Sequence, residues 1–224
     1  MNLDPSNQLD LFAYENYLLE LTKLYLDHRL PNKILLSGEK GIGKSTLGYH
    51  LINFILSQKE EFSYDSQNLR INPKNKSFIL MQNKSNPNFI LLDLNEEKKN
   101  IDINQIRNLN LILNKSSFDN RPRLVLIDNI ELLNINAVNA LLKVLEEPND
   151  NIYFILINNN KKILPTLKSR CLNFKIQLTA KQSFDITNKL LNDDYSNLIN
   201  NEITNNYSTP GEILRLINFA NNND

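Results

Sequence analysis

Apolar positions along this chain alternate between two periods. Over residues 9–30 they recur at helical spacing, with Leu11, Tyr14, Leu18, Leu21 and Tyr25 on one face, and predict a helix. Lys33-Ile34-Leu35-Leu36 is a short apolar run ending at Gly38, the pattern of a buried strand feeding a loop. The helical period resumes over residues 44–56, through Leu47, Leu51, Phe54 and Ile55. Residues 58–86 are polar and weakly patterned, and predict a surface excursion with a partly ordered helix and loop.

The second half repeats the alternation. Residues 89–94 are strand-like, residues 96–100 form a charged turn, and residues 104–115 place Ile106, Leu109 and Leu113 at helix spacing. Residues 124–127 are continuously apolar, as a parallel strand buried on both faces requires. A helix over residues 135–147 is stopped by Pro148, and residues 152–157 and 172–176 read as two more strands. Strands alternating with helices predict an α/β fold, a parallel five-stranded sheet flanked by helices with right-handed crossovers. After about Leu178 the strands stop, and residues 181–191, 195–205 and 211–220 read as helices. The expected organisation is a nucleotide-binding domain over residues 1–178 and a small helical lid over 179–224.

Bulk composition narrows the function. A chain of 224 residues suffices for one α/β domain with a core plus a small appendage. Lys and Arg number 25, Asp and Glu 25, and the pI is about 6.8, so a global basic footprint for nucleic acid is excluded and any DNA contact is local or shared with partners. The single cysteine, Cys171, rules out an intrachain disulfide. The N-terminal residues lack a secretory pattern, and Glu15, Glu20 and Lys23 interrupt the apolar positions that follow. No run approaches the ~18 apolar residues of a membrane span, so a soluble cytoplasmic protein with no membrane partner is expected.

The chemistry begins at Gly38-Glu39-Lys40-Gly41-Ile42-Gly43-Lys44-Ser45, which fits G-x-x-x-x-G-K-[ST] between a strand and a helix. Gly38, Gly41 and Gly43 let the backbone curl so that N–H groups converge on phosphate oxygens, and the following helix adds its positive end. Lys44 is expected on the β- and γ-phosphates and Ser45 on Mg²⁺, with Thr46 in the same nucleotide site. The alternative, a chance glycine-rich turn, lacks a reason for the flanking strand and helix. The strand over residues 124–127 ends in Asp128, placed to hold the Mg²⁺ shell; a helix-capping or turn aspartate is the competing reading. Asn129 follows, where hydrolysing relatives usually carry a glutamate that activates water. An amide can hydrogen-bond water but cannot take its proton near neutral pH. Nucleotide binding is expected, with weak or absent hydrolysis.

Several segments then align with a known family. Leu30-Pro31-Asn32, the loop at Gly38, Asn86-Pro87-Asn88-Phe89, residues 103–107, the strand ending at Asp128, the run Asn139-Ala140-Leu141-Leu142-Lys143-Val144-Leu145-Glu146-Glu147-Pro148, and Leu164-Pro165-Thr166-Leu167-Lys168-Ser169-Arg170-Cys171 occur in the order seen in bacterial clamp-loader subunits. Over roughly residues 5–220 the chain resembles these AAA+ proteins, most of all the delta-prime type of DNA polymerase III. The resemblance implies an AAA+ P-loop NTPase fold, ATP and Mg²⁺ as cofactors, and a part in placing a sliding clamp on primed DNA. The implied partners are other clamp-loader subunits (the motor subunits and delta), the sliding clamp, and primed DNA through the complex. It further implies that Arg170 reaches the ATP of an adjacent motor subunit, a trans-acting arginine finger, and that Asn158 is the polar sensor near the γ-phosphate, a register that Asn159 and Asn160 leave open by one.

The departures are as informative. The four-cysteine module of motor subunits is missing, so no zinc is expected. In Ser208-Thr209-Pro210-Gly211-Glu212, Gly211 falls where motor subunits carry a γ-phosphate-sensing arginine; Arg215 lies one turn on. Family members continue into a collar domain, whereas this sequence stops at Asp224, as a fragment or a shortened version. His28 and His50 read as helix-surface residues, Cys171 as a small buried residue rather than a nucleophile, Glu146-Glu147 as packing or capping groups, and Lys161-Lys162 with Arg121 and Arg123 as solvated loop charge. Three rival readings are an active clamp-loader motor, a monomeric nucleotide kinase and a plain nucleotide-binding module.

Overall fold

The computed structural model describes residues 4–94, 99–115, 119–146, 151–191 and 207–221. Five parallel strands form one sheet: β1 (Lys33–Ser37), β2 (Phe89–Leu92), β3 (Arg123–Ile127), β4 (Ile152–Asn158) and β5 (Leu172–Lys175). Their order is β2-β3-β4-β1-β5, so the two strands that lead to the phosphate loop and to Asp128 flank β4. Alternate residues serve opposite faces. Ile34, Leu36, Leu124, Leu126, Ile155 and Ile157 join one core, with α1 (Glu15–Leu26) and α2 (Lys44–Leu56). Leu35, Val125, Ile127, Phe154 and Leu156 join the other, with α4 (Ile103–Leu113) and α5 (Ile135–Glu146). Burial on both faces is why these strands read as unbroken apolar runs.

The segment after α2 is more structured than its polarity suggests. It contains α3 (Lys76–Gln82) and buries Tyr64, Leu69, Ile71, Phe78 and Met81. It folds over a polar stripe on α2. His50 Nδ1 lies 2.9 Å from the Tyr64 hydroxyl, Asn53 Nδ2 donates to Asn75 Oδ1 at 2.9 Å, and the Tyr64 amide donates to Ser57 Oγ at 3.0 Å. The expectation that His50 is a surface residue is therefore corrected. It is 0% exposed, and burial pulls its pKa down to about 4. The first apolar residues also differ from expectation. α1 starts only at Glu15, because Leu9 and Leu11 are committed to backbone hydrogen bonds with Ile71 and Leu69.

Arg123 is likewise not loop charge. It is buried, and its guanidinium donates to the carbonyls of Ile112 (3.2 Å), Leu113 (2.8 Å) and Lys115 (2.7 Å), satisfying the open carboxyl end of α4. Arg121 pairs with Asp119 at 2.7 Å. His28 is exposed just beyond α1, at a left-handed φ of 55°.

After β4 come the one-turn α6 (Pro165–Lys168), then β5, α7 (Ala180–Leu191) and α8 (Pro210–Asn221). Leu191 and Leu214 hold α7 against α8, with Phe184, Leu190 and Ile217. Two capping boxes explain where these helices start. Thr179 exchanges hydrogen bonds with Gln182, and Thr209 with Glu212. The helix expected over residues 195–205, Glu147, Pro148 and most of the charged turn over 96–100 lie outside the described residues. Among the described residues no helix is long and apolar enough to cross a membrane.

Candidate nucleotide-binding site

Gly41 and Gly43 adopt φ of 85° and 90°, a region that side-chain-bearing residues rarely enter, and this curls the loop at the carboxyl end of β1. Gly43 is the N-cap of α2, and no side chain caps the helix, so its first N–H groups face the loop. Lys44 is 3% exposed, and its ammonium donates to the Glu39 carbonyl at 2.5 Å. Burial lowers its pKa to about 8, while the charges of Asp128, Glu131 and Glu39 oppose the fall. Ser45 Oγ donates to Asp128 Oδ2 at 2.5 Å, which joins the loop to the end of β3. Burial raises the Asp128 pKa, and the Ser45 hydrogen bond opposes that.

These groups line a cavity of about 500 Å³ together with Gly41, Gly43 and Thr46, a size suited to a small ligand. Gly38 is buried at the start of the loop. The far wall is apolar, built from Leu11, Phe12, Tyr14, Ile186 and Leu214. The Tyr14 hydroxyl donates to the Ile42 carbonyl, and burial pushes its pKa well up. An under-compensated buried carboxylate beside a hydroxyl fits a hard divalent cation, and Ser45 and Asp128 are the residues that would hold Mg²⁺. Such an ion characteristically takes one or two protein oxygens and fills its shell with phosphate and water.

α8 reaches this site. The Gly211 N–H donates to the Gly41 carbonyl at 3.0 Å, and Pro210, Gly211 and Arg215 line the cavity. Gly211 is therefore a backbone contact with the phosphate loop itself.

Beside Asp128, Asn129 is at φ 54° and both ends of its side-chain amide are occupied. Its Nδ2 donates to Asp93 Oδ1 at 2.8 Å, and its Oδ1 accepts from Asn159 Nδ2 at 2.8 Å. Asn159 Nδ2 also donates to Glu131 Oε1 at 2.9 Å. Asn158 and Asn159 sit differently with respect to the cavity. Asn158 is buried and folds into its own turn, its Nδ2 donating to the Lys161 carbonyl and its Oδ1 accepting from the Lys161 amide, both at 3.0 Å. Asn159 lines the cavity. The sequence did not mark Tyr14 as a site residue, and although Gly211 was singled out, its backbone contact with Gly41 was not foreseen; tertiary packing brings in both.

Arg170 lies elsewhere. It follows α6, is exposed, and is absent from the described lining of the cavity. Its Nε and Nη2 donate to Glu146 Oε1 at 2.9 and 2.5 Å, and its Nη1 to the Thr166 carbonyl at 2.9 Å. Cys171 beside it is half-buried, and burial pushes its thiol up to about 11, so it is no thiolate nucleophile.

A parallel sheet of this order, a phosphate loop on its first strand, an aspartate ending β3 and helices docking back on the loop define an AAA+ P-loop protein. Residues 14–180 match the family described as DNA polymerase III, delta subunit, and the chain belongs to that clamp-loader family, with delta-prime subunits as its relatives. It is 32% identical over 159 residues to DNA polymerase III subunit delta' of Buchnera aphidicola subsp. Baizongia pistaciae, covering 68% of this chain and 46% of that protein. It is 33% identical over 139 residues to the Pseudomonas aeruginosa subunit delta', covering 61% of this chain and 40% of that one. The chain thus spans less than half the length of these curated relatives. A gamma-subunit-related protein from Thermotoga maritima shares the fold with a TM-score of 0.52 at 22% identity, over 80% of this chain and 52% of that one.

Proposed function

We propose that this chain is a stator of a clamp loader: it binds ATP at Gly38, Gly41, Gly43, Lys44, Ser45, Thr46 and Asp128 with little or no hydrolysis, and lends Arg170 to the ATP of a neighbouring motor subunit. Residues 1–178 act as the nucleotide-binding domain and 179–224 as its lid. The work takes place in the cytoplasm, with motor subunits, a delta subunit and the sliding clamp, on primed DNA held by the assembled complex.

The observation that carries this reading is the placement of Arg170: exposed, and not part of the chain's own cavity. A guanidinium there is available to a second molecule, and its charge and planar fork suit a phosphoryl group in flight. The own-site chemistry supports the division of labour. Mg²⁺ held at Ser45 and Asp128 would neutralise phosphate charge, but the residue next to Asp128 is an amide with both ends already engaged. It does not accept a proton near neutral pH, and each end of the amide already holds one of its two possible partners. Asn159, at the cavity, is the better placed of the two asparagines for a sensor role.

The test is ATP turnover by reconstituted motor subunits with clamp and primed DNA, comparing no addition, this chain, and its Arg170→Ala variant. The stator reading expects the intact chain to raise turnover and Arg170→Ala to fail although it joins the complex. Equal stimulation by both would contradict it.

A further inference from the structure

Three of the five N–H groups of the Arg170 guanidinium are already engaged. The Nε/Nη2 edge is held by Glu146 Oε1, the last described residue of α5, and one Nη1 hydrogen by the Thr166 carbonyl of α6. Among the described residues the two that remain, one on each terminal nitrogen, have no partner, and guanidinium N–H groups of this kind are strong donors to phosphate oxygens. An exposed arginine held by nothing would sample many rotamers and lose entropy each time it engaged. Here Glu146 and the Thr166 carbonyl hold it, and among the described residues one N–H on each terminal nitrogen is left over.

We propose that Glu146 is a positioning residue for Arg170. It fixes the guanidinium plane from α5 so that the donors left on the terminal nitrogens are pre-set for the neighbour's nucleotide. This rests on the trans-arginine reading above. The pair serves geometry rather than folding. The Glu146 side chain is 55% exposed and that of Arg170 36%, and ion pairs in such surroundings contribute little to stability. Misplacing a catalytic group by about 1 Å, by contrast, can cost about 10²-fold in rate.

The experiment measures clamp- and DNA-stimulated ATP turnover of the reconstituted complex containing Glu146→Ala, Glu146→Gln, Arg170→Ala or the Glu146→Ala/Arg170→Ala double variant. Assembly is followed by gel filtration and folding by thermal melting. Glu146→Ala is expected to lower kcat about tenfold or more with KM for ATP, assembly and melting temperature unchanged. Glu146→Gln, which keeps the accepting oxygen, is expected to recover much of the loss, and the double variant to be no worse than Arg170→Ala. If Arg170→Ala is impaired but Glu146→Ala is not, or if Glu146→Ala is faster, the positioning role is wrong while the trans-arginine reading survives. If Arg170→Ala itself turns over normally, both fall. A Glu146→Ala loss that persists additively on top of Arg170→Ala would place Glu146 in some other role.

Discussion

Gly211 and Gly41 meet backbone to backbone at the edge of the cavity beside the phosphate loop. The Gly211 amide donates to the Gly41 carbonyl at 3.0 Å, and a Cβ placed on Gly211 would lie 2.7 Å from the Gly41 Cα. A Cβ on Gly41 would in turn lie 2.7 Å from Thr209 Oγ1 and 3.1 Å from the Gly211 Cα. α8 can seat on the phosphate loop only because both positions lack side chains. The absence of an arginine at 211 is thus a steric requirement of this closed arrangement.

Gly211→Ala therefore forces the two backbones apart. It is expected to destabilise the protein by about 1–3 kcal/mol, the usual cost of overpacking a close contact. Thermal melting would read this, and nucleotide affinity should fall with it as the lid loses its seat. A variant as stable and as tight-binding as the parent would show that the contact does not hold the lid.

Proton linkage at Lys44 gives a second expectation. Its pKa, lowered to about 8 by burial, leaves the empty site losing its cation as pH rises past 8. Bound phosphates favour the ammonium and raise that pKa again, so binding takes up a proton in this range. Nucleotide affinity should decline above pH 8, with proton uptake detectable by calorimetry in buffers of different ionisation heat. Lys44→Arg should flatten the dependence. A flat profile in the parent would contradict the assignment.

Acid stability should be governed in part by His50. Its folded pKa of about 4 lies below the ordinary value of 6.5, so the unfolded chain binds the proton more readily. The stability this contributes is complete above about pH 6.5 and is lost as pH falls toward 4. The span corresponds to roughly 3 kcal/mol. His50→Gln should lose less stability between pH 7 and pH 4.5 in urea titrations, and identical slopes for the two proteins would count against it.

How much of this the sequence disclosed varied with the physics involved. Features fixed by local rules were readable: the glycine spacing and following helix at residues 38–56 and the apolar runs of the buried strands. Features fixed by what packs on top were not. His50, Asn53 and Ser57 lie on one face of α2 and look like a solvent face, yet residues 58–86 fold over them and supply their partners. Arg123 looks like loop charge because the helix end it caps lies 8–11 residues earlier in the chain. The asparagine facing the cavity could not be read from three consecutive identical residues. Asn158 is committed to hydrogen bonds with Lys161, while Asn159 lines the cavity.

The central claim is that this chain acts on its neighbour's nucleotide more than on its own. It is tested most directly by placing Lys44→Ala and Arg170→Ala separately in this chain and measuring clamp- and DNA-stimulated ATP turnover of the reconstituted complex. The account predicts a mild effect for Lys44→Ala and a severe one, about 10³-fold or more at the affected motor site, for Arg170→Ala. The reverse order, with turnover depending on Lys44 and indifferent to Arg170, would make the chain a motor in its own right and contradict the account.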